Sequence, residues 1–163
     1  MKIETSKGVL RLVNNNDAGL QKIIEDSEDW NNLSETKLYP ENMPTEMTFT
    51  IEAEGKIIGE VVFSRIRWFN RKSEITIIIK KDFQGKGYGK ESLKAAMDFA
   101  FNKMNLHRLE AEIYEFNKVS IKLMESLGFK KEGVLREAQF SNGKYWDIIR
   151  YGILRSEFNG LHS

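Results

Sequence analysis

Polar and apolar positions change period several times along the chain, and each change marks an element. Val9-Leu10-Arg11-Leu12-Val13 reads as an opening strand, and Asn14-Asn15-Asn16-Asp17 after it has the composition of a turn and a helix N-cap. A helix is predicted from Ala18 to about Ser27. The stretch through Pro40 and Pro44 is polar and aperiodic, which predicts a mobile or weakly helical connection. Phe49 to Glu54 and Ile57 to Arg67 are strand-like runs flanking Gly55-Lys56, a hairpin signal. Ser73 to Ile79 predicts another strand, and its Ile75-Thr76-Ile77-Ile78-Ile79 is too continuously apolar to leave one face in water.

The glycine-rich run Gln84-Gly85-Lys86-Gly87-Tyr88-Gly89 separates that strand from a helix over Glu91 to Phe101, where Leu93, Ala96, Met97 and Ala100 fall at helical spacing. His107 to Tyr114 alternates as a strand. Lys118 to Ser126 predicts a second helix, closed by Gly128 at a C-cap position. Phe129 to Phe140, the turn Ser141-Asn142-Gly143, and Lys144 to Leu154 form a terminal hairpin. Strands alternate with helices in the middle and pair as hairpins at both ends, so a mixed α/β sheet is predicted, in one domain over residues 1–163.

Composition narrows the function. The chain has 163 residues, 40% hydrophobic and 30% charged, ordinary for a globular protein. It contains no cysteine, which excludes disulfides, thiolate nucleophiles and thiolate-held metals. His107 and His162 are too few and too far apart to suggest a metal site, so none is expected. No apolar run approaches the roughly 20 residues needed to span a bilayer, and the N-terminus has no signal-peptide core; a cytoplasmic location is expected. The net charge of +1 gives no reason to expect nucleic-acid or membrane binding. Its distribution is uneven: between Asp17 and Glu46 eight acids face two bases, giving that stretch −6 and the remainder +7. Such a run is either a solvated acidic face or an approach for a cationic substrate opposite a basic region suited to a polyphosphate.

A buried strand that ends in a glycine-rich turn and opens a helix aims several unpaired backbone N–H groups at one spot, where the helix dipole also favours negative charge. Gly85, Gly87 and Gly89 carry no side chain to block an anion and can take positive φ, while Lys86 and Lys90 add charge. The segment lacks the Lys-Ser/Thr ending of a nucleoside-triphosphate loop and the spacing of a dinucleotide fold. Taken alone it is either an anion cradle or a tight turn without a ligand.

Two motifs together resolve that choice. Gln84-x-x-Gly87-x-Gly89 resembles the Arg/Gln-x-x-Gly-x-Gly/Ala motif of the GNAT superfamily of N-acetyltransferases, and Asn117 to Phe129 is similar to that family's Asn-led helix ending in Gly-Phe. Within the family, Glu132 to Glu137 with Asn142-Gly143-Lys144-Tyr145 and Asp147 resembles the branch of ribosomal-protein N-terminal and bacterial spermidine acetyltransferases. The resemblance implies a central mixed, mostly antiparallel twisted sheet of about six to seven strands flanked by helices. It implies an enzyme that moves an acetyl group from acetyl-CoA directly to a primary amine, either a protein N-terminus or a small amine or polyamine such as spermidine. It further implies a homodimer or higher homo-oligomer.

By that pattern Ile77, Ile78 and Ile79 offer backbone groups to the pantetheine arm, and Gln84, Gly85, Lys86, Gly87, Tyr88, Gly89 and Lys90 hold the diphosphate. Asn117 bonds the pantetheine amides, with Ser120 and Leu123 along the same arm. Met124 occupies the position where relatives often carry a tyrosine acid, and methionine cannot donate a proton. Ser120, Tyr114 and Tyr145 are the substitutes considered. Glu74 is the candidate base, with a surface ion pair to Arg71 or Lys72 as its alternative role; Glu112 is a second candidate. Trp30, Trp68, Phe69 and Trp146 are candidates for the acceptor pocket. Two other functions remain open at this stage, a non-catalytic acyl-CoA-binding sensor or structural member of the same fold and a nucleotide-binding regulatory domain.

Overall fold

The computed structural model describes residues 2–5, 8–11, 18–25 and 43–160. They fall into two units, Met1–Leu38 and Tyr39–Ser163, each taken by itself. In the first, β1 (Lys2–Thr5) and β2 (Gly8–Arg11) pair antiparallel with Lys2 opposite Arg11, and α1 spans Ala18–Glu25. The start of α1 is where the apolar spacing put it. The connection through Pro40, most of the acidic stretch and Trp30 lie outside the described residues.

The second unit is built on a six-stranded sheet. Its strands are β3 (Met47–Ala53), β4 (Lys56–Arg67), β5 (Lys72–Ile79), β6 (Arg108–Tyr114), β7 (Lys130–Ser141) and β8 (Lys144–Leu154), in the order β3-β4-β5-β6-β8-β7. Every pairing is antiparallel except β5 with β6, which is parallel. Three helices accompany it: α2 (Tyr88–Asn102), α3 (Lys118–Ser126) and α4 (Arg155–Gly160), the last unmarked by any sequence signal. This is the mixed, mostly antiparallel sheet expected.

Strand alternation divides the sheet into two faces. Val61, Phe63, Ile75, Leu109, Ala111, Tyr151 and Ile153 occupy one face and are buried with Leu93, Met97, Ala100 and Phe101 of α2. Met124, Leu127 and Phe129, at the end of α3 and the start of β7, join the same core. The terminal hairpin turns at Asn142 (φ 52°) and Gly143 (φ 77°), the two positive φ values of a type I′ turn that an Asn-Gly pair favours.

One expectation fails. β5 is not buried on both faces, because Thr76 and Ile78 are exposed, Ile78 by 59%. Both alternate onto the face opposite the core of Ile75. β6 pairs with β5 only from Lys72–Glu74 against Arg108–Glu110, while its other edge pairs with β8 along all seven residues. Beyond Glu74, β5 is held by β4 alone, and the sheet splits into a fork.

Candidate active site

The fork opens onto a cavity of about 450 Å³. Glu74 to Ile78 of β5 and Ala111 to Tyr114 of β6 form its two walls, while Asn117, Ser120 and Met124 of the α3 segment, Gln139 of β7 and Ile148 of β8 complete it. Of the residues expected at the site, the structure thus brings Glu74, Ile77, Ile78, Tyr114, Asn117, Ser120 and Met124 together. Glu112, the second carboxylate candidate, lines the same space.

The peptide groups of β5 are available on the side where β6 departs. Lys80 N donates to Ile58 O at 2.8 Å, and by alternation Ile78 and Thr76 also turn their peptide groups toward β4. Ile77 and Ile79 therefore turn theirs toward the gap. Ile79 O already accepts from Gln84 Nε2 at 2.8 Å, which ties the glycine turn to the end of β5.

After a single 3-10 turn, Lys81–Phe83, the chain passes Gly85 (φ 71°) and Gly87 (φ 90°), both left-handed. Gly87 is the N-cap of α2, and the first bond within the helix is Glu91 N to Gly87 O at 3.1 Å. The N–H groups of Gly87 to Lys90 precede that bond and have no partner in the helix. A side chain built on Gly85 or Gly87 would meet only open space, so room for an anion lies over these donors. Lys86 Nζ sits 5.5 Å above the Phe83 ring. The observed cradle thus fits a diphosphate.

Gly89 has a different task. A Cβ there would lie 3.3 Å from Ile79 Cδ1 and 3.6 Å from Leu123 Cδ2, so this glycine lets α2 seat closely against β5 and α3. Ile79 and Leu123 form that contact and do not line the main cavity.

Asn117 caps α3 by accepting Ser120 N–H on Oδ1 at 3.1 Å. That commits Oδ1 and leaves the Nδ2 donors without a partner among the described residues. Met124, 4% exposed, presents its thioether to the cavity wall where a hydroxyl was sought. The hydroxyl side chains in the lining are Thr76, Tyr114 and Ser120. Tyr145 does not line it; its ring packs 5.1 Å from Phe140 at the hairpin end. Nor do Trp68, Phe69 or Trp146. Trp68 Nε1 donates to Pro44 O, and the Trp146 ring contacts Phe116 and carries Lys144 Nζ at 3.6 Å.

Glu74 is engaged, but not by Arg71 or Lys72. Its Oε1 takes Arg65 Nη1 at 2.9 Å and lies 3.8 Å from Arg150 Nη2. Arg65 reaches it through a β-bulge: the β4–β5 register shifts between Ser64 and Arg67, and Arg65 itself is left-handed at φ 49°. A second irregularity, between Leu135 and Gln139 of β7, places Glu137 at φ 50° with its N–H on Asp147 Oδ1 at 2.8 Å, and Gln139 then reaches the cavity.

Behind Glu74 lies Glu110, 8% exposed, which accepts from Lys72, Arg108 and Arg150. Burial pushes the Glu110 carboxyl up, yet the hydrogen bonds from Arg108 and Lys72 outweigh it and hold it below its ordinary value. Arg108 also pairs through two nitrogens with Glu132, which raises the guanidinium further above its ordinary value. Among the described residues no group of three or more His, Asp or Glu side chains is placed to hold a metal ion. Nor is any helix there long and apolar enough to cross a membrane.

Arg65, Arg150 and Gln139 were not singled out from the sequence. Arg150 left a signal, a lone charge within the apolar run Ile148-Ile149-Arg150-Tyr151 of a predicted strand. Arg65 and Gln139 depend on bulges, which left none.

Comparison with known proteins places these features in a family. The model of the acetyltransferase (GNAT) domain matches residues 8–130. Spermidine N(1)-acetyltransferase of Vibrio cholerae is 36% identical over 114 residues, 69% of this chain and 66% of that protein. The crystal structure of the V. cholerae spermidine N-acetyltransferase in complex with CoA and spermine superposes with a TM-score of 0.68 at 34% identity, covering 71% of this chain and 69% of that one. A dodecameric structure of the same enzyme, in an intermediate state, gives 0.70 at 33% identity over 76% of this chain and 71% of that one. The first curated relatives are matched over 63% to 67% of their own length. The matched domain is that of acetyl-CoA-dependent N-acetyltransferases.

Proposed function

The chain belongs to the GNAT acetyltransferase family, and from that membership we propose that it transfers an acetyl group from acetyl-CoA to a primary amine of a small polycation of the spermidine class. The observation that carries the choice of acceptor is the pair of carboxylates, Glu74 and Glu112, on opposite walls of the forked cavity. A polyamine presents several ammonium groups, and the second oxygens of these carboxylates, each paired with an arginine only through Oε1, are the acceptors that fit them. The acetylated forms of the V. cholerae relative's substrate would be the products.

Acetyl-CoA supplies the acetyl thioester. The N–H groups of Gly87 to Lys90 hold its diphosphate, the peptide edge of Ile77 and the Nδ2 donors of Asn117 hold the arm, and Ser120 sits beside them. Glu74 takes one proton from the acceptor ammonium through an oxygen not bound to Arg65, directly or through water. The amine nitrogen then forms the new C–N bond as the C–S bond breaks, and the leaving sulfur takes one proton from the Tyr114 or Ser120 hydroxyl, which stands in for the acid that Met124 lacks. That hydroxyl recovers its proton from the acylated nitrogen, directly or through water, leaving the neutral amide. We further read residues 1–163 as one domain, since the family match from 8 to 130 crosses both units. The reading includes a cytoplasmic location, where acetyl-CoA is available, and a homo-oligomer, as the dodecameric relative suggests.

Met124 also favours a second reading, an acyl-CoA-binding sensor without turnover. Thiol release from acetyl-CoA with a panel of polyamines, monoamines and peptide N-termini separates the two. Turnover is expected with polyamines first; binding of CoA with no turnover across the panel would establish the sensor, and a preference for peptides would move the acceptor to protein N-termini.

A further inference from the structure

At the root of the fork a single guanidinium meets three carboxylates. Arg150 Nη1 lies 3.2 Å from Glu112 Oε1, and Nη2 lies 3.3 Å from Glu110 Oε2 and 3.8 Å from Glu74 Oε1. Glu110 and Glu112 belong to β6 and Glu74 to β5, so Arg150, on β8, spans the two strands where they begin to part. The register makes this reach possible: Arg150 stands opposite Glu112, and alternation puts it on the face that carries Glu110 and Tyr114.

The arrangement is asymmetric in a useful way. Glu110 is fully occupied, by Lys72, Arg108 and Arg150. The two carboxylates that line the cavity are bound on one oxygen each. Glu74 uses Oε1 for Arg65 and Arg150, and Glu112 uses Oε1 for Arg150. Oε2 of each has no partner among the described residues. Three carboxylates this close repel one another unless a cation lies between them. Arg150 hydrogen-bonds Glu110 and faces Glu112 and Glu74 as ion pairs at 3.2 and 3.8 Å, and its planar fork spans all three as a compact ammonium does not.

We propose that Arg150 is a positioning residue for the acceptor: it holds Glu74 on one wall of the cavity and Glu112 on the other, so that a cationic amine meets a carboxylate from each strand. This rests on the amine-acceptor reading above. A purely structural Arg150, neutralising buried Glu110, would affect stability and both substrates alike.

The test uses Arg150→Met, Arg150→Lys and Glu112→Gln, with steady-state kinetics in spermidine and in acetyl-CoA and calorimetry of spermidine binding to the CoA-loaded protein. Arg150→Met is expected to raise the spermidine KM and Kd about tenfold or more while the acetyl-CoA KM stays within about twofold. Arg150→Lys keeps the charge but cannot fork between strands, so it should recover only part of the loss. Glu112→Gln should cost less in the Arg150→Met background than in wild type, because the carboxylate is already misplaced. Should Arg150→Met fail to fold, Arg150→Lys carries the comparison, with a spermidine KM raised severalfold and an unchanged acetyl-CoA KM. Unchanged spermidine constants, equal losses for both substrates, or strict additivity would overturn the proposal. Wild-type protein that neither binds nor acetylates spermidine or other amines would sink the acceptor reading, and this inference with it; active wild type with an indifferent Arg150 variant would sink the inference alone.

Discussion

Two glycines opposite the fork make a matched test of how rigidly its walls are built. A Cβ on Gly59, in β4, would overlap Ile78 O and come within 3.1 Å of Ile78 C and Ile79 Cα. Optimal carbon contacts lie near 3.5–4.0 Å, and every obstructing atom is backbone of β5, so the Ile78 carbonyl must move by on the order of 1 Å. Overpacking of this kind costs about 1–3 kcal/mol. Relief of glycine's excess entropy in a strand returns about 0.5–1 kcal/mol, leaving a net loss of about 0–2.5 kcal/mol, at the upper end because the obstruction is backbone. At roughly 2–4 °C per kcal/mol for a chain this size, Gly59→Ala should lower Tm by up to about 10 °C. Because the displaced peptides are those beside the cavity, the acetyl-CoA KM should rise as well. Gly152 supplies the control. Its Cβ would meet the side-chain ends of Glu132 and Arg108, which can swing away. The cost there is at most a partly exposed ion pair, about 0–1 kcal/mol, and the same entropy gain offsets it. Gly152→Ala should therefore leave Tm within about 2 °C of wild type. Differential scanning calorimetry and thiol-release kinetics on both variants decide the matter. A Gly59→Ala protein of wild-type Tm and KM, or a Gly152→Ala protein more damaged than it, would refute the reasoning.

Further expectations concern the site directly. Gly87→Ala forces alanine into φ 90°, at about 1–2 kcal/mol, yet its methyl meets no protein atom; a small drop in Tm with a much larger rise in acetyl-CoA KM would mark the cradle, and an unchanged KM would dismiss it. Asn117→Asp keeps the Oδ1 cap and removes the amide donors, so its Tm should hold while the acetyl-CoA KM rises; Asn117→Ala should lose about 1 kcal/mol besides. Tyr114→Phe and Ser120→Ala, compared by kcat, identify the proton donor, and full activity in both would point to solvent. Glu110 is held below its ordinary value of 4.5, so the stability it contributes is present above about pH 4.5 and is lost as pH falls below it. Calorimetric Tm should fall less steeply below pH 4.5 in Glu110→Gln than in wild type; equal slopes would show that Glu110 does not carry the acid sensitivity.

Most of the described scaffold was legible because its signals are local. The helix Lys118–Ser126 follows from Gly128 closing its C-terminal end, and the Asn142-Gly143 turn from backbone chemistry alone. The glycine turn between β5 and α2 was visible for the same reason, whereas Asn117 was singled out by the family resemblance. What stayed hidden depends on partners distant in sequence. The exposure of Ile78 depends on what packs on its face of the sheet, which the five residues Ile75 to Ile79 cannot encode by themselves. The pairing of Glu74 with Arg65 and Arg150 instead of Arg71 or Lys72 needs a bulge at Arg65 and a strand 76 residues away. Gly89 was read as clearance for an anion, whereas its neighbours show that it clears space for Ile79 and Leu123.

The fork between β5 and β6 bears on the kinetics of the enzyme as well as its chemistry. Each prong is tied to a different neighbour, β5 to β4 and β6 to β8, so among the described residues the opening is part of the hydrogen-bond pattern of the sheet. A site opened by strand pairing is preorganised: threading a substrate into it requires none of the β4–β5 or β6–β8 bonds to break. Exchange at this fork should thus depend on contacts with the walls that the described residues provide, a dependence that viscosity-resolved turnover would read.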